Sequence, residues 1–194
     1  MAGIEFEQTP LDGVLLIKPK VWGDRRGFFV ETWQAERYQA LGITETFVQD
    51  NHSMSTAGIL RGLHYQKQYP QGKLVSVSSG RVYDVAVDIR PGSATFGQWY
   101  GVELNQDNQW QLWIPKGLAH GFAVLSDVAH FHYKCTEYYK PGDEGSIYYL
   151  DPDLNIVWPI SDPVMSDKDL KAPSFKAYLA ERNLDAKGRP NHVV

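Results

Sequence analysis

An all-β sandwich or barrel with short peripheral helices is the fold class this sequence predicts, and three observations carry the prediction. Short β-rich runs recur along the chain, punctuated by Gly, Pro, Asn and Asp. Aromatic residues are abundant, with 6 Trp, 11 Tyr and 8 Phe in 194 residues, and they favour pleated surfaces and flat-walled cavities. Helical periodicity is confined to two places. The chain has no linker, low-complexity block or internal repeat, and its 194 residues are read as a single domain spanning 1–194.

In order, strands are expected near 13–18, 28–33, 45–50, 59–66, 73–79, 81–89, 98–104, 110–114, 119–125, 130–139 and 146–150. The clearest is Val82–Ile89, where Tyr83, Val85, Val87 and Ile89 share one face between a Ser79-Gly80-Arg81 turn and an Arg90-Pro91-Gly92-Ser93 turn. The helices are placed at Gln34–Leu41, closed by Gly42, and at Ser174–Arg182, opening after Pro173.

Composition narrows the function. A net charge of −4 argues against nucleic-acid or anionic-membrane partners, so an acidic ligand requires a local cluster of Arg and Lys. The single cysteine, Cys135, rules out an internal disulfide and is read as a buried, inert side chain. No basic-then-apolar N-terminal segment and no membrane-length apolar stretch is present, so the cytoplasm is the expected location. Glycine-rich dinucleotide and P-loop fingerprints, C-x-x-C and G-x-S-x-G are all missing, which removes the usual markers of redox-cofactor, ATP-driven, zinc-ribbon and α/β-hydrolase chemistry.

Five clusters can carry chemistry. In Gly58–Gln66, Arg61 and His64 point to opposite faces of a regular strand, but Gly62 between them can host a bulge that re-aims one into a shared cavity. A strand histidine is ordinarily a core residue, and Lys73, at the start of the next strand, is ordinarily solvated. The segment Ile114–Phe122 contains P-x-G-x-x-H, which resembles the second cupin motif. Gly58 and His64 open the first cupin motif, yet Gln66 stands where its second histidine belongs and the glutamate is absent. Two imidazoles alone rarely hold a catalytic divalent ion, so no metal is expected. His130 and His132 do not repair the set, because they lie opposite Tyr133 on their strand. Tyr133–Tyr139 supplies alternating aromatics, ordinarily packing, of which a cavity-facing hydroxyl can act as a general acid. Arg25–Glu31 and Ser166–Asp169 have the character of an anion grip.

Together these stretches closely resemble the dTDP-4-dehydrorhamnose 3,5-epimerase family of the dTDP-L-rhamnose pathway. The resemblance runs in order from about residue 12 to residue 172, through R-G-F-F-V-E, Q-D-N-H-S, L-R-G-L-H-Y-Q, Q-G-K-L-V, V-Y-D-V-A-V-D-I-R, P-K-G-L-A-H-G-F, Y-K-C-T-E-Y-Y and S-D-K-D. It implies a cupin-type jelly-roll β-barrel that needs no cofactor. His64 is then the general base, Asp169 the carboxylate that orients it, Tyr133 the general acid and Lys73 the cation beside the enolate oxygen, with His120 near the reacting sugar. Arg26, Glu31, Gln49, Asp50, Asn51, Arg61, Glu144 and Lys168 match the family's nucleotide-sugar contacts, and Phe28 its thymine-stacking ring. The implied substrate is a dTDP-4-keto-6-deoxyhexose. The implied assembly is a homodimer in which residues near Arg26 and Glu31 reach the partner's site.

The residue types suit that chemistry. Protons beside a keto group are acidified by it, a nearby cation stabilises the enolate, and inversion needs an acid on the opposite face. The alternatives are a single-carbon epimerase or a 3,4-ketoisomerase of the same barrel, a non-catalytic sugar-binding cupin and a metal-dependent cupin oxygenase. The ketoisomerase has no use for Tyr133 as a separate acid, the binding protein has no reason to keep the catalytic set, and the oxygenase lacks its ligands.

Overall fold

The computed structural model describes residues 4–191. In chain order its elements are β1 (Glu5–Gln8), β2 (Leu15–Lys18), β3 (Val21–Asp24), β4 (Gly27–Val30), α1 (Ala35–Gln39), β5 (Gln49–Thr56), β6 (Leu60–Gln66), β7 (Lys73–Ser79) and β8 (Arg81–Asp88). They continue with β9 (Trp99–Asn105), β10 (Gln111–Ile114), β11 (Leu118–Val124), β12 (Val128–Cys135), β13 (Glu144–Ser146), α2 (Asp167–Leu170) and α3 (Phe175–Glu181). Two antiparallel sheets, ordered β1-β2-β10-β7-β12-β5 and β13-β6-β11-β8-β9, form the jelly roll. A separate hairpin, β3–β4, joins neither sheet.

Strand alternation explains the layers. On β8, Val82 and Ala86 turn into the space between the sheets, where they meet Val75, Val77, Leu112, Phe122 and Phe131. The opposite face carries Val85, Val87 and Ile89, with Tyr83 against them, and packs on the C-terminal segment through Trp158, Phe175 and Tyr178. Both faces of β8 are covered, and the strand is apolar on both except for the buried carboxylates Asp84 and Asp88 on the inward-facing set. The outer side of the other sheet is partly covered by the segment after β4, where Tyr38 and Ile43 pack on Leu15, Ile17, Leu74 and Trp113.

Both expected helices form. The Gln34 side chain accepts from Arg37 N–H at 2.7 Å and Gly42 closes the end with φ +93°. Ser174 caps α3 by accepting from Ala177 N–H at 3.2 Å. Strand boundaries differ by more than two residues in four places. The strand expected at 45–50 lies instead at Gln49–Thr56, because Phe47 is used to cover the sheet, edge-on to Trp33 and Trp113. The strand expected at 130–139 stops at Cys135, after which the Thr136 hydroxyl accepts from Gly72 N–H at 2.8 Å and the chain turns away. The strand expected at 146–150 is the shorter Glu144–Ser146, and that expected at 28–33 is the hairpin arm Gly27–Val30. Strands β1 and β3 and helix α2 have no counterpart in the sequence reading.

Candidate active site

The site is built where β6 departs from regularity. His120 of β11 pairs with His64, whereas Phe122 pairs with Arg61, so β6 holds one residue more than its neighbour across this stretch. Gly62 sits in the bulge with φ +125°, and a Cβ there would lie 2.5 Å from Gly121 Cα. Only a glycine allows that approach. The result is that Arg61 and His64 line the same cavity, of about 450 Å³, together with Lys73, His120, Tyr133, Lys168 and Asp169. A continuous recess that shares His64, Lys73 and Tyr133 adds Gln49, Asn51, Tyr139 and Glu144.

Asp169 arrives from far along the chain. A parallel bridge between Ile59 and Val164 lays the segment before α2 against the start of β6, with Leu60 N–H donating to Val164 O at 3.0 Å. Ser166 then caps α2 by accepting from Asp169 N–H at 3.1 Å. This leaves Asp169 Oδ1 2.6 Å from His64 Nε2, with the carboxylate almost wholly buried. Burial pushes the Asp169 carboxyl up, but hydrogen bonding and charge from His64, with help from Ser166 and Gly62, outweigh it and hold the group below the usual carboxylate range. A neutral His64 that donates Nε2–H to this carboxylate presents an unprotonated Nδ1.

The other groups are set by burial. Lys73, Val75 and Val77 share the inward face of β7. Burial lowers the Lys73 ammonium pKa, opposed by charge at Cys135 and Asp84. Tyr133, on β12, is raised mainly by burial, so its phenol keeps its proton. Burial lowers His120 despite Asp84, whose Oδ2 lies 2.9 Å from His120 Nε2. Cys135 is fully buried and burial raises its thiol, consistent with an inert side chain.

Not every expected residue faces the cavity. Asp50 turns to the other side of its sheet and pairs with Lys134 at 2.9 Å. Arg26 and Phe28 lie on the exposed hairpin, where Arg26 pairs with Asp24, and Glu31 pairs with Arg37 at 2.7 Å. Lys168 and Glu144 pair with each other at 2.5 Å. His130 and His132 do lie opposite Tyr133. On that outer face His132 accepts from or donates to Ser78 Oγ at 2.8 Å and stacks on His52, with ring centroids 4.3 Å apart. Among the described residues no group of three or more His, Cys, Asp and Glu is placed to close around a metal ion.

Some lining residues were given no individual role from sequence: Ser53, Phe122, Ser166 and Tyr139, which fall inside motifs that were named, and Phe131 and Met165. Alternation from Tyr133 along β12 could have found Phe131, which shares its inward face. Nothing in the spacing announces Met165.

Proton transfer beside a carbonyl needs a base, an acid and an oxyanion partner around one carbon, and this cupin-type jelly roll brings an imidazole, a phenol and an ammonium to one cavity. The fold and site thus define a cupin-type sugar-isomerase class of protein. The chain belongs to the dTDP-4-dehydrorhamnose 3,5-epimerase family, whose sequence profile matches residues 8–177. It is 53% identical over 178 residues to the dTDP-4-dehydrorhamnose 3,5-epimerase of Salmonella typhimurium, covering 90% of this chain and 97% of the relative. The enzyme of the same name from Shigella flexneri is 52% identical over 170 residues, covering 87% of this chain and 94% of the relative. The crystal structure of the dTDP-6-deoxy-D-glucose-3,5-epimerase of Legionella pneumophila in complex with dTDP-4-keto-L-rhamnose superposes with a TM-score of 0.87 at 54% identity, covering 98% of this chain and 100% of that one.

Proposed function

We infer that the protein epimerises carbons 3 and 5 of dTDP-4-dehydro-6-deoxy-D-glucose to give dTDP-4-dehydro-L-rhamnose, in the dTDP-L-rhamnose pathway. The observation that carries the reading is the His64–Asp169 contact at 2.6 Å, which supplies an oriented base in a cavity that also holds Lys73 and Tyr133. His64 Nδ1 takes the proton beside the 4-keto group, and the C–H electron pair becomes the enolate double bond as the carbonyl π pair moves to oxygen. Lys73 stands as the cation for that oxyanion. Tyr133 then gives its proton to the opposite face of the carbon, and solvent restores the phenol and takes the proton from the imidazolium. The cycle repeats at the second carbon. Its balance involves protons alone.

Arg61 and Lys168 at the cavity are the cations for the diphosphate, in a chain whose net charge is −4. In this reading His120 contacts the sugar, and Gln49, Asn51 and Glu144 bind polar groups of the nucleotide sugar. The hairpin pairs with neither sheet and exposes Trp22, Phe28 and Phe29, an apolar surface suited to a second copy of the chain. We therefore read the protein as a cytoplasmic homodimer, with Arg26, Phe28 and Glu31 of one copy completing the cavity of the other. Product analysis by NMR on dTDP-4-dehydro-6-deoxy-D-glucose tests the reading. Inversion at both carbons supports it, and inversion at one carbon alone, or movement of the keto group, overturns it.

A further inference from the structure

Asp84 sits in the lumen of the barrel, on the inward face of β8 between Val82 and Ala86, with none of its surface exposed. Its Oδ2 is 2.9 Å from His120 Nε2, while its Oδ1 is buried with no hydrogen-bond partner among the described residues. A buried carboxylate with an unmet oxygen is costly, and for holding His120 alone it is unnecessary, because an amide oxygen would accept the same hydrogen bond. Folding therefore does not explain the charge at this position. The neighbouring group that gains from a negative charge is Lys73, which enters the same lumen from β7.

We propose that Asp84 is a positioning residue for the epimerisation: one oxygen fixes His120 so that its Nδ1 accepts from the sugar, and the other is the counter-charge that keeps Lys73 an ammonium. The proposal rests on the reading of Lys73 as the oxyanion partner. Burial drives Lys73 toward the neutral amine, which cannot stabilise an enolate, and charge at Cys135 and then at Asp84 works against that drift. Burial raises the Cys135 thiol and keeps its proton on, which leaves Asp84 as the anion. For His120 the burial that lowers its pKa keeps the ring neutral, so Nε2–H donates to the Asp84 carboxylate and Nδ1 is left as an acceptor. The other ionisable groups at this cavity are His64 on β6, Tyr133 on β12 and Arg61, with Lys168 and Asp169 from the α2 segment, and Cys135 of β12 acts on Lys73 from its strand. None of them touches Asp84 Oδ1.

Asp84→Asn is the test, read against Lys73→Met in the same assays. The amide keeps the shape and the acceptor for His120 and removes the charge, so dTDP affinity and thermal stability should stay at wild-type level or above. Turnover and deuterium wash-in should both fall by about tenfold or more, and the alkaline limb of kcat/KM should move down by about one pH unit, a tenfold loss of proton affinity at Lys73. A residue with a purely structural role would lower the melting temperature and leave the alkaline limb in place. That result, or wild-type turnover, overturns the proposal. If Asp84→Asn does not fold, Asp84→Ser, with space for water beside His120 Nε2, is read on the same profile. Full activity in Lys73→Met would sink the reading of Lys73 itself. An inactive Lys73→Met beside an unimpaired Asp84→Asn sinks the inference about Asp84 alone.

Discussion

His64 Nε2 and Asp169 Oδ1 meet at 2.6 Å although 105 residues separate them in the chain. The imidazole keeps much of its side chain exposed to the cavity, and the carboxylate keeps almost none. One partner is therefore free to meet a substrate while the other holds it in place. His64→Ala should lose about 10² to 10⁴ of kcat, the usual range for a general base, and should lose deuterium wash-in equally. Asp169→Asn leaves the ring present but lets it turn or adopt the other tautomer, so it should fall between wild type and His64→Ala. dTDP affinity should change little in either variant. Wild-type turnover in Asp169→Asn would show that the contact does not orient the base.

This pair also marks the limit of what the sequence made legible. Strand β7 was readable to the residue, and the apolar face of β8 was readable from alternation, because Asp84 and Asp88 interrupt the other face and leave a period of two. The hairpin arm β3 and the edge strand β1 were not, since all four residues of each are exposed and no face is selected for burial. Strand β5 is mostly polar and exists because β12 offers it a partner over all eight of its residues. Helix α2 is four residues long, too short for any periodicity, so the seat of Asp169 depends on the Ile59–Val164 bridge. The roles of His64, Lys73, Tyr133 and Asp169 came from family resemblance. Their convergence on one cavity is a property of the bulge at Gly62 and of that bridge.

Exhaustive chelation should leave turnover unchanged. His64 and His120, the two histidines that answer to cupin ligands, each have Nε2 against a carboxylate, Asp169 and Asp84. Gln66, which stands where a further ligand would be, is buried and donates to the backbone oxygens of Tyr69 and Tyr138 at 2.6 and 3.2 Å. The prediction is checked by assaying enzyme dialysed against chelator, with metal content measured alongside. Activity lost on chelation and restored by one divalent ion would contradict it.

Stability should fall as the solution is acidified below about pH 6.5. His120 is held neutral mainly by burial, and His132 is lowered by burial and by the neighbouring His52 and His130. Above the ordinary histidine value of 6.5 both folded and unfolded chains carry neutral rings, and these groups add no pH dependence. Below it the unfolded chain takes up protons that the folded chain refuses, so stability is lost progressively down to the folded values. Melting temperature measured from pH 8 to pH 5 should therefore decline on the acid side, and His132→Gln should flatten part of that decline. An unchanged slope in His132→Gln would mean that the outer histidine cluster does not contribute.

The acid and the base should be separable in one experiment. Tyr133→Phe removes the hydroxyl and keeps the ring, which packs against Phe131 at a centroid distance of 5.9 Å, so the cavity wall should survive. Burial raises the Tyr133 phenol, and a proton donor that stays protonated until the enolate forms is what reprotonation requires. Without it, His64 can still take a proton and return it, or a solvent deuteron, to the face from which it came. Tyr133→Phe in heavy water should therefore incorporate deuterium while producing little inversion at carbon 3, carbon 5 or both, whereas His64→Ala should do neither. NMR of the recovered sugar nucleotide reads both quantities at each carbon. If Tyr133→Phe abolishes exchange as completely as His64→Ala while still binding dTDP, then Tyr133 is needed before the enolate forms. The separation of roles between the two residues would then be wrong.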